Sequence, residues 1–338
     1  MHTPPLRYLS AADVAAAMPA LEEQLRLAET TMLALADDAQ LPPKIGVEPA
    51  AADSFAHAMP AWMRGAPADG SADLLGVKWV VGVPGNVARG LPAISATTLL
   101  SDATTGLPRA VLDAGGVTAY RTAAVSGVAI ARWGPRQAGR VAVIGAGVQA
   151  RSHLPVVAHL LPGTAVTLCD RDAERAAVLA EEVASGMHGD LGEVQTVTDA
   201  VAAVDGAKLV LTLISFGPER QSIPISAFDG QATVIAVDYD MCVPATLARE
   251  ARLFLTDDRG QFLANRNETQ FAGYPEPAAT IGEAIASETP RPDGRVLVSH
   301  LGVGLADVVF ADAILRTAER QGTGTLLERW DHPERQPR

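Results

Sequence analysis

The segment Val141-Ala-Val-Ile-Gly145-Ala-Gly147-Val148-Gln149-Ala150 runs from an apolar stretch into a glycine pair. A Gly-x-Gly-x-x-Ala turn that follows a buried strand and opens a helix suits a dinucleotide pyrophosphate. Gly145 permits the tight turn and Gly147 lets a ligand approach the backbone. The helix start offers free N–H groups and a partial positive charge. Asp170 closes the next strand, 20 residues beyond Ala150. An acid there accepts hydrogen bonds from ribose hydroxyls and repels a 2′-phosphate, which favours NAD(H). Arg171 beside it suits a 2′-phosphate instead, so NADP(H) stays as the alternative.

Other residues stand out by being in unexpected company. Lys78 lies in Gly-Val-Lys-Trp-Val-Val, a strand pattern in which a buried ammonium must be paired. The plain alternative is an edge strand with Lys78 facing water. Arg121, among small residues at a helix start, presents a fork that fits a carboxylate. It could equally be a solvated arginine on a helix surface. Asp240 follows Ala-Thr-Val-Ile-Ala-Val-Asp238-Tyr, just past the carboxyl end of a parallel strand, where open α/β sheets bind ligands. It suits a proton acceptor or donor. Asp238 competes for that role, and either acid could simply cap the strand end. His57 and His300 are loop histidines, each more often structural than catalytic when taken singly. No metal-ligand spacing occurs. Cys169 and Cys242 are far apart and read as small buried hydrophobes, in keeping with a reducing compartment.

Elements must hold these residues. Ser10-Ala-Ala-Asp13 is a capping box before a short helix, and Pro19 starts a longer one. Leu21, Leu25, Ala28, Met32 and Leu35 mark that helix's apolar face. From Leu41-Pro-Pro-Lys44 to about Asp113, short strands and turns follow, giving an α+β domain. Thr118 to Trp133 is helical. Apolar strands then start at Val141, Ala165, Leu209, Thr233 and Leu253, alternating with helices. Strands without a polar side signal a parallel sheet covered on both faces. Asp307 to Gln321 is a last amphipathic helix that returns to the first domain. The fold class is α/β: a Rossmann-type dinucleotide-binding domain over 121–307, and an α+β substrate-binding and dimerisation domain over 1–120 with 308–338. The charged tail from about Asp331 is expected to be disordered.

The 338 residues suit about two domains. With 27 basic and 39 acidic side chains the net charge is −12, and aromatics make up 4%. Neither nucleic acid nor an anionic membrane surface is an expected partner. No run reaches about 18 apolar residues, and the N-terminus lacks a signal-peptide core, so a cytoplasmic protein is expected.

Five segments recur in order: Lys78-Trp-Val-Val-Gly-Val-Pro84-Gly-Asn86, Gly90-Leu-Pro92, Thr105-Gly-Leu-Pro108-Arg-Ala-Val-Leu-Asp113, Thr118-Ala-Tyr-Arg121-Thr-Ala-Ala124 and Gly145 to Ala150. The chain thereby resembles the ornithine cyclodeaminase/mu-crystallin family over roughly residues 41 to 320. The resemblance implies NAD(P)(H) binding, action at the Cα–N bond of an amino acid or cyclic imine, and a homodimer joined through the non-Rossmann domain. It implies that Lys78 and Arg121 hold the substrate carboxylate and that Asp240 is the catalytic acid/base. Gly302-Val-Gly304-Leu-Ala-Asp307 matches the segment near the nicotinamide, and His300, just before it, is placed with the cofactor.

Two positions depart from the family pattern. Lys44 stands where an arginine often follows Pro-Pro, keeping the charge without the bidentate fork. His57 stands where cyclodeaminases carry a glutamate near the substrate amines. An imidazole is a poor partner for a cationic amine, so ornithine and lysine become less fitting substrates. The expected activity is therefore NAD(H)-dependent hydride transfer on a small amino or imino acid, as in an amino-acid dehydrogenase, imine or ketimine reductase, or reductive aminase. The alternatives are a diamino-acid cyclodeaminase with catalytic NAD, and a non-catalytic protein that binds NAD(P)H and a ligand.

Overall fold

The computed structural model describes residues 4–66, 72–137, 139–215, 217, 220–268 and 270–328. The charged tail beyond about Asp331 lies outside them. The chain divides into two compact units. One comprises Met1–Ala20, Asp38–Thr118 and Gly304–Arg338, the other Leu21–Asp37 and Ala119–Val303. These bounds differ from the expected ones mainly in one element: the helix Leu21–Asp37 belongs to the second unit. There its Met32 carbonyl lies so close to Gly282 that a Cβ at that glycine would stand 1.9 Å from it.

The first unit is a mixed sheet. Its strands lie in the order Thr325–Leu327, Leu6–Leu9, Pro108–Asp113, Ile94–Asp102, Leu74–Gly82, Phe55–Met63 and Ala39–Gln40, and Ile45–Val47 also pairs with Phe55–Met63. Leu74–Gly82 buries every second residue, 74, 76, 78, 80 and 82. That period of two gives one face to the core. The helix Gly304–Gln321 lies on this face: a Cβ at Gly76 would meet Val308 Cγ2 at 2.9 Å, and one at Gly304 would meet the Met59 carbonyl at 2.6 Å. The helix starts three residues earlier than expected. It buries twelve of its eighteen residues, including Asp307 and Asp312, and exposes its last three.

The second unit is a parallel sheet in the order Val194–Val197, Ala165–Cys169, Arg140–Ile144, Leu209–Thr212, Thr233–Ala236, Val296–Ser299, Leu253–Thr256 and Ala279–Thr280. Its central strands are buried along their whole length, as the missing polar face anticipates. The strand order reverses around Arg140–Ile144, so ligands are expected beyond the carboxyl ends there. The helix Leu21–Asp37 buries Gln24, Leu27, Ala28, Thr31, Met32 and Ala34. The expected stripe shares only Ala28 and Met32 with that set, because polar Gln24 and Thr31 turn inward. Among the described residues no helix is long and apolar enough to cross a membrane.

Candidate functional site

In the second unit, Gly145 adopts φ +105°. A Cβ there would lie 2.8 Å from the Leu213 carbonyl, so only glycine fits the turn. A Cβ at Gly147 would meet nothing within 4 Å, so the backbone stays open to a ligand. Gly147 caps the helix Val148–Leu160 without a side-chain hydrogen bond. Val148, in the first turn, is 70% exposed. Ala150 is fully buried and serves the turn by close packing instead. Gln149 Oε1 is buried without a hydrogen-bond partner among the described residues. Asp170 Oδ2 accepts the Ala146 N–H at 2.8 Å, and its Oδ1 accepts the Asp172 N–H at 3.0 Å. The acid at the strand end thus also braces the glycine turn. A cavity of about 260 Å³ opens here, lined by Gly145, Gly147, Asp170, Arg171 and Arg175 and reaching Met241. A turn only glycine can make, an open approach, an uncapped helix start and an orphaned polar atom fit a dinucleotide. Arg175 had no sequence signal beyond its charge.

The two acids after Thr233–Ala236 separate clearly. Asp238 is buried, accepting from Thr212 Oγ1 at 2.6 Å and the Ile214 N–H at 3.3 Å. Burial pushes its carboxyl up to about 6, against those hydrogen bonds. It ties neighbouring strand ends together. Asp240 is more accessible. Its Oδ2 lies 3.1 Å from Arg220 Nε and accepts the Phe271 N–H at 3.0 Å. Tyr239 between the acids has φ +60°, and Phe271 has φ +57°. Their rings stack with centroids 5.5 Å apart. Left-handed backbone at two bulky residues is costly and held only where the surroundings enforce it.

The neighbouring strand Val296–Ser299 ends in His300, which is buried. Its Nε2 is 2.8 Å from Ser126 Oγ. The Leu301 and Gly302 N–H groups donate to the Asp257 carboxylate at 3.0 and 2.7 Å, and Gln261 Nε2 donates to the Gly302 carbonyl at 3.1 Å. Gly302 has φ +82°, and a Cβ there would stand 2.7 Å from Arg121 Nη1. Arg121 is therefore a buried guanidinium over a pinned loop, and the helix-surface reading is overturned. Sequence reasoning missed Asp257 and Gln261. The signal was available for Asp257, which follows its strand as Asp170 and Asp238 follow theirs.

In the first unit Lys78 is 1% exposed, and its Nζ lies 3.0 Å from Asp307 Oδ1. The edge-strand reading fails: this is a buried ion pair from strand to helix. His57 shares the sheet face of Lys78, since it pairs with Val80 as Lys78 pairs with Met59. It stacks on Phe55 at 4.8 Å. Burial, reinforced by the charges of Lys44 and Lys78, pulls its ring down to about 4, so it is neutral near pH 7. Lys44 is half-buried.

Comparison with known proteins shows the family and the fold. Residues 8–318 match the ornithine cyclodeaminase/mu-crystallin family. The nodulation efficiency protein NfeD of Rhizobium meliloti is 30% identical over 330 residues, spanning 96% of this chain and 98% of the relative. An alanine dehydrogenase of Archaeoglobus fulgidus is 26% identical, covering 92% of this chain and 93% of its own. The structure of a Thermococcus litoralis Δ1-pyrroline-2-carboxylate reductase with NADH and L-proline superposes with TM-score 0.81 at 23% identity. It covers 95% of this chain and 99% of that one, and so shares its fold.

Proposed function

The chain belongs to the ornithine cyclodeaminase/mu-crystallin family, and from that footing we propose an NAD(H)-dependent enzyme acting at the Cα–N bond of a small amino or imino acid. The observation that carries this reading is the cavity under the glycine turn. It runs from Asp170 to Met241, the residue after Asp240. In this reading Asp240, one residue before the cavity-lining Met241, is the proton-transfer group at the cleft that fits a dinucleotide.

In this reading Lys78 and Arg121, with Lys44, hold the substrate carboxylate. The bound nicotinamide supplies the hydride acceptor or donor. Asp240 takes the proton from nitrogen in the oxidative direction and returns it in the reductive one. Arg220 and the Phe271 N–H keep its carboxylate oriented. The neutral His57, with Lys44 and Lys78 as its charged neighbours, disfavours a cationic side chain. That supports a dehydrogenase, imine reductase or reductive aminase over a cyclodeaminase.

The test is nicotinamide absorbance across a panel of amino acids, cyclic imino acids, and 2-oxo acids with ammonia or methylamine. Redox turnover of a non-cationic substrate is expected. Ammonia release from ornithine or lysine without net redox would favour the cyclodeaminase, and no turnover with tight NADH binding would favour a binding protein.

A second copy of the chain is proposed to cover the other face of the first unit's sheet. Tyr8, Val111, Leu99, Val77 and Pro60 form one row across five paired strands there. On that face Trp79 is 46% exposed and Tyr8 42%. An apolar row of this kind marks an interaction surface. Sedimentation should give a dimer, and Trp79→Glu should give monomers.

A further inference from the structure

Arg151 follows the glycine-turn motif directly, near the start of the helix Val148–Leu160. A cation at that end opposes the helix dipole, so its place calls for another reason. The guanidinium reaches back over the turn, and its Nη1 donates to the Ala146 carbonyl at 3.0 Å. Its other two nitrogens donate to one carboxylate oxygen of Glu182, Nε at 3.1 Å and Nη2 at 2.8 Å. The second Glu182 oxygen lies 3.0 Å from Nε2 of the buried His188. The hydrogen bonds from Arg151, and after them the one from His188, hold the Glu182 carboxyl below the usual carboxylate range. It is ionised near pH 7, and the bonds from Arg151 are charge-assisted.

Ala146 is thereby held on both sides. Its N–H donates to Asp170 Oδ2 at 2.8 Å, and its carbonyl accepts from Arg151. That carbonyl belongs to the Ala146–Gly147 peptide. In a planar trans peptide the N–H points opposite to the C=O. A carbonyl fixed on the guanidinium therefore turns the Gly147 N–H away from it. Gly147 lines the cavity, and a Cβ there would meet nothing within 4 Å. Rotating this peptide by half a turn would put an oxygen where the N–H stands, and an anion would meet an acceptor in place of a donor. Glycine's backbone freedom makes that rotation cheap unless something holds the peptide.

We propose that Arg151, itself steadied by Glu182, is a positioning residue that locks the Ala146–Gly147 peptide with its N–H towards a bound pyrophosphate. It acts on the ligand only through the backbone it holds. The hydrogen bonds to Ala146 and Glu182 are features of the chain alone, while the pyrophosphate rests on the dinucleotide reading of the cavity.

The test measures binding of NADH, ADP and adenosine to the full chain, by fluorescence, calorimetry and ligand-observed NMR, beside thermal melts. Arg151→Met keeps an unbranched side chain and removes every donor. NADH and ADP carry a pyrophosphate, and each should bind about 10–100-fold more weakly, the scale of a hydrogen bond to a charged group. Adenosine enters the same cleft without a phosphate, and its affinity should not change. Glu182→Ala releases the guanidinium and should show the same split to a smaller extent. A folded Arg151→Met protein that binds ADP like wild type overturns the proposal. Equal losses for ADP and adenosine overturn it as well, since a loosened domain weakens both. If Arg151→Met does not fold, Glu182→Ala decides, and unchanged ADP binding there overturns the positioning role. A wild-type protein that binds none of the three ligands instead indicts the dinucleotide reading, and the proposal falls with it.

Discussion

Replacing Asp307 by alanine isolates the buried ion pair of the first unit. Lys78 and Asp307 sit 3.0 Å apart at 1% and 0% exposure. Both left water on folding, and each lowers the cost of burying the other. Removing one partner of such a pair leaves an uncompensated charge and costs about 3–5 kcal/mol. At about 2–4 °C per kcal/mol for domains of this size, the melting temperature should fall by about 6–20 °C. A double variant, Lys78→Met with Asp307→Leu, removes both charges and keeps apolar volume. Such replacements are often neutral or stabilising, so most of the loss should return. The same double variant should fail to turn over substrate, because Lys78 is assigned to the carboxylate. Thermal melts and turnover of the three proteins separate structure from function. An Asp307→Ala protein that melts with wild type would refute the buried-pair reasoning, and so would a double variant no better than the single one.

Acidification should destabilise the protein through its histidines. His57 and His153 have folded values of about 4 and about 3 against 6.5 for an ordinary ring. The unfolded chain therefore binds more protons, and stability is lost as pH falls below about 6.5. Asp238 works the other way, since its raised carboxyl holds a proton between 3.8 and about 6 in the folded state. His57→Gln should make the drop in melting temperature between pH 7 and 5 shallower, and an unchanged slope would count against the burial of that ring. Asp240→Asn should fold and bind NADH while kcat falls about 10²–10⁴-fold. Asp238→Asn should chiefly lower the melting temperature; if it abolishes turnover and Asp240→Asn does not, the carboxylates are assigned wrongly. Fluorescence titration should find NADH bound more tightly than NADPH, because Asp170 faces the cleft. The reverse order would make Arg171 and Arg175 phosphate ligands.

The glycine turn, Asp170 and the apolar parallel strands were readable from sequence because their constraints are local. A turn that only Gly145 can make, and strands with no polar side, mark themselves in consecutive residues. Lys78 and Arg121 could only be flagged. Asp307, which pairs with Lys78, and the Gly302 loop, which packs against Arg121, lie more than 180 residues away, and no local pattern reveals which charge is buried. The face of Leu21–Asp37 was misread because Gln24 and Thr31 go inward, an outcome that hydrophobic periodicity disfavours. The strand Val296–Ser299 escaped notice because its three apolar residues are too few to separate from loop. The left-handed turns at Tyr239 and Phe271 left no trace, since neither residue type favours them.

The central claim is hydride transfer between a nicotinamide and the Cα of an amino or imino acid, with Asp240 moving the proton on nitrogen. The most direct measurement uses NADH deuterated at C4 with cyclic imino acids, or with 2-oxo acids and ammonia or methylamine, followed by mass spectrometry and proton NMR of the product. Deuterium at Cα, formed by the wild-type protein and about 10²–10⁴-fold more slowly by Asp240→Asn, is the predicted result. NADH that binds yet passes no deuterium to Cα of any of these substrates would contradict the account.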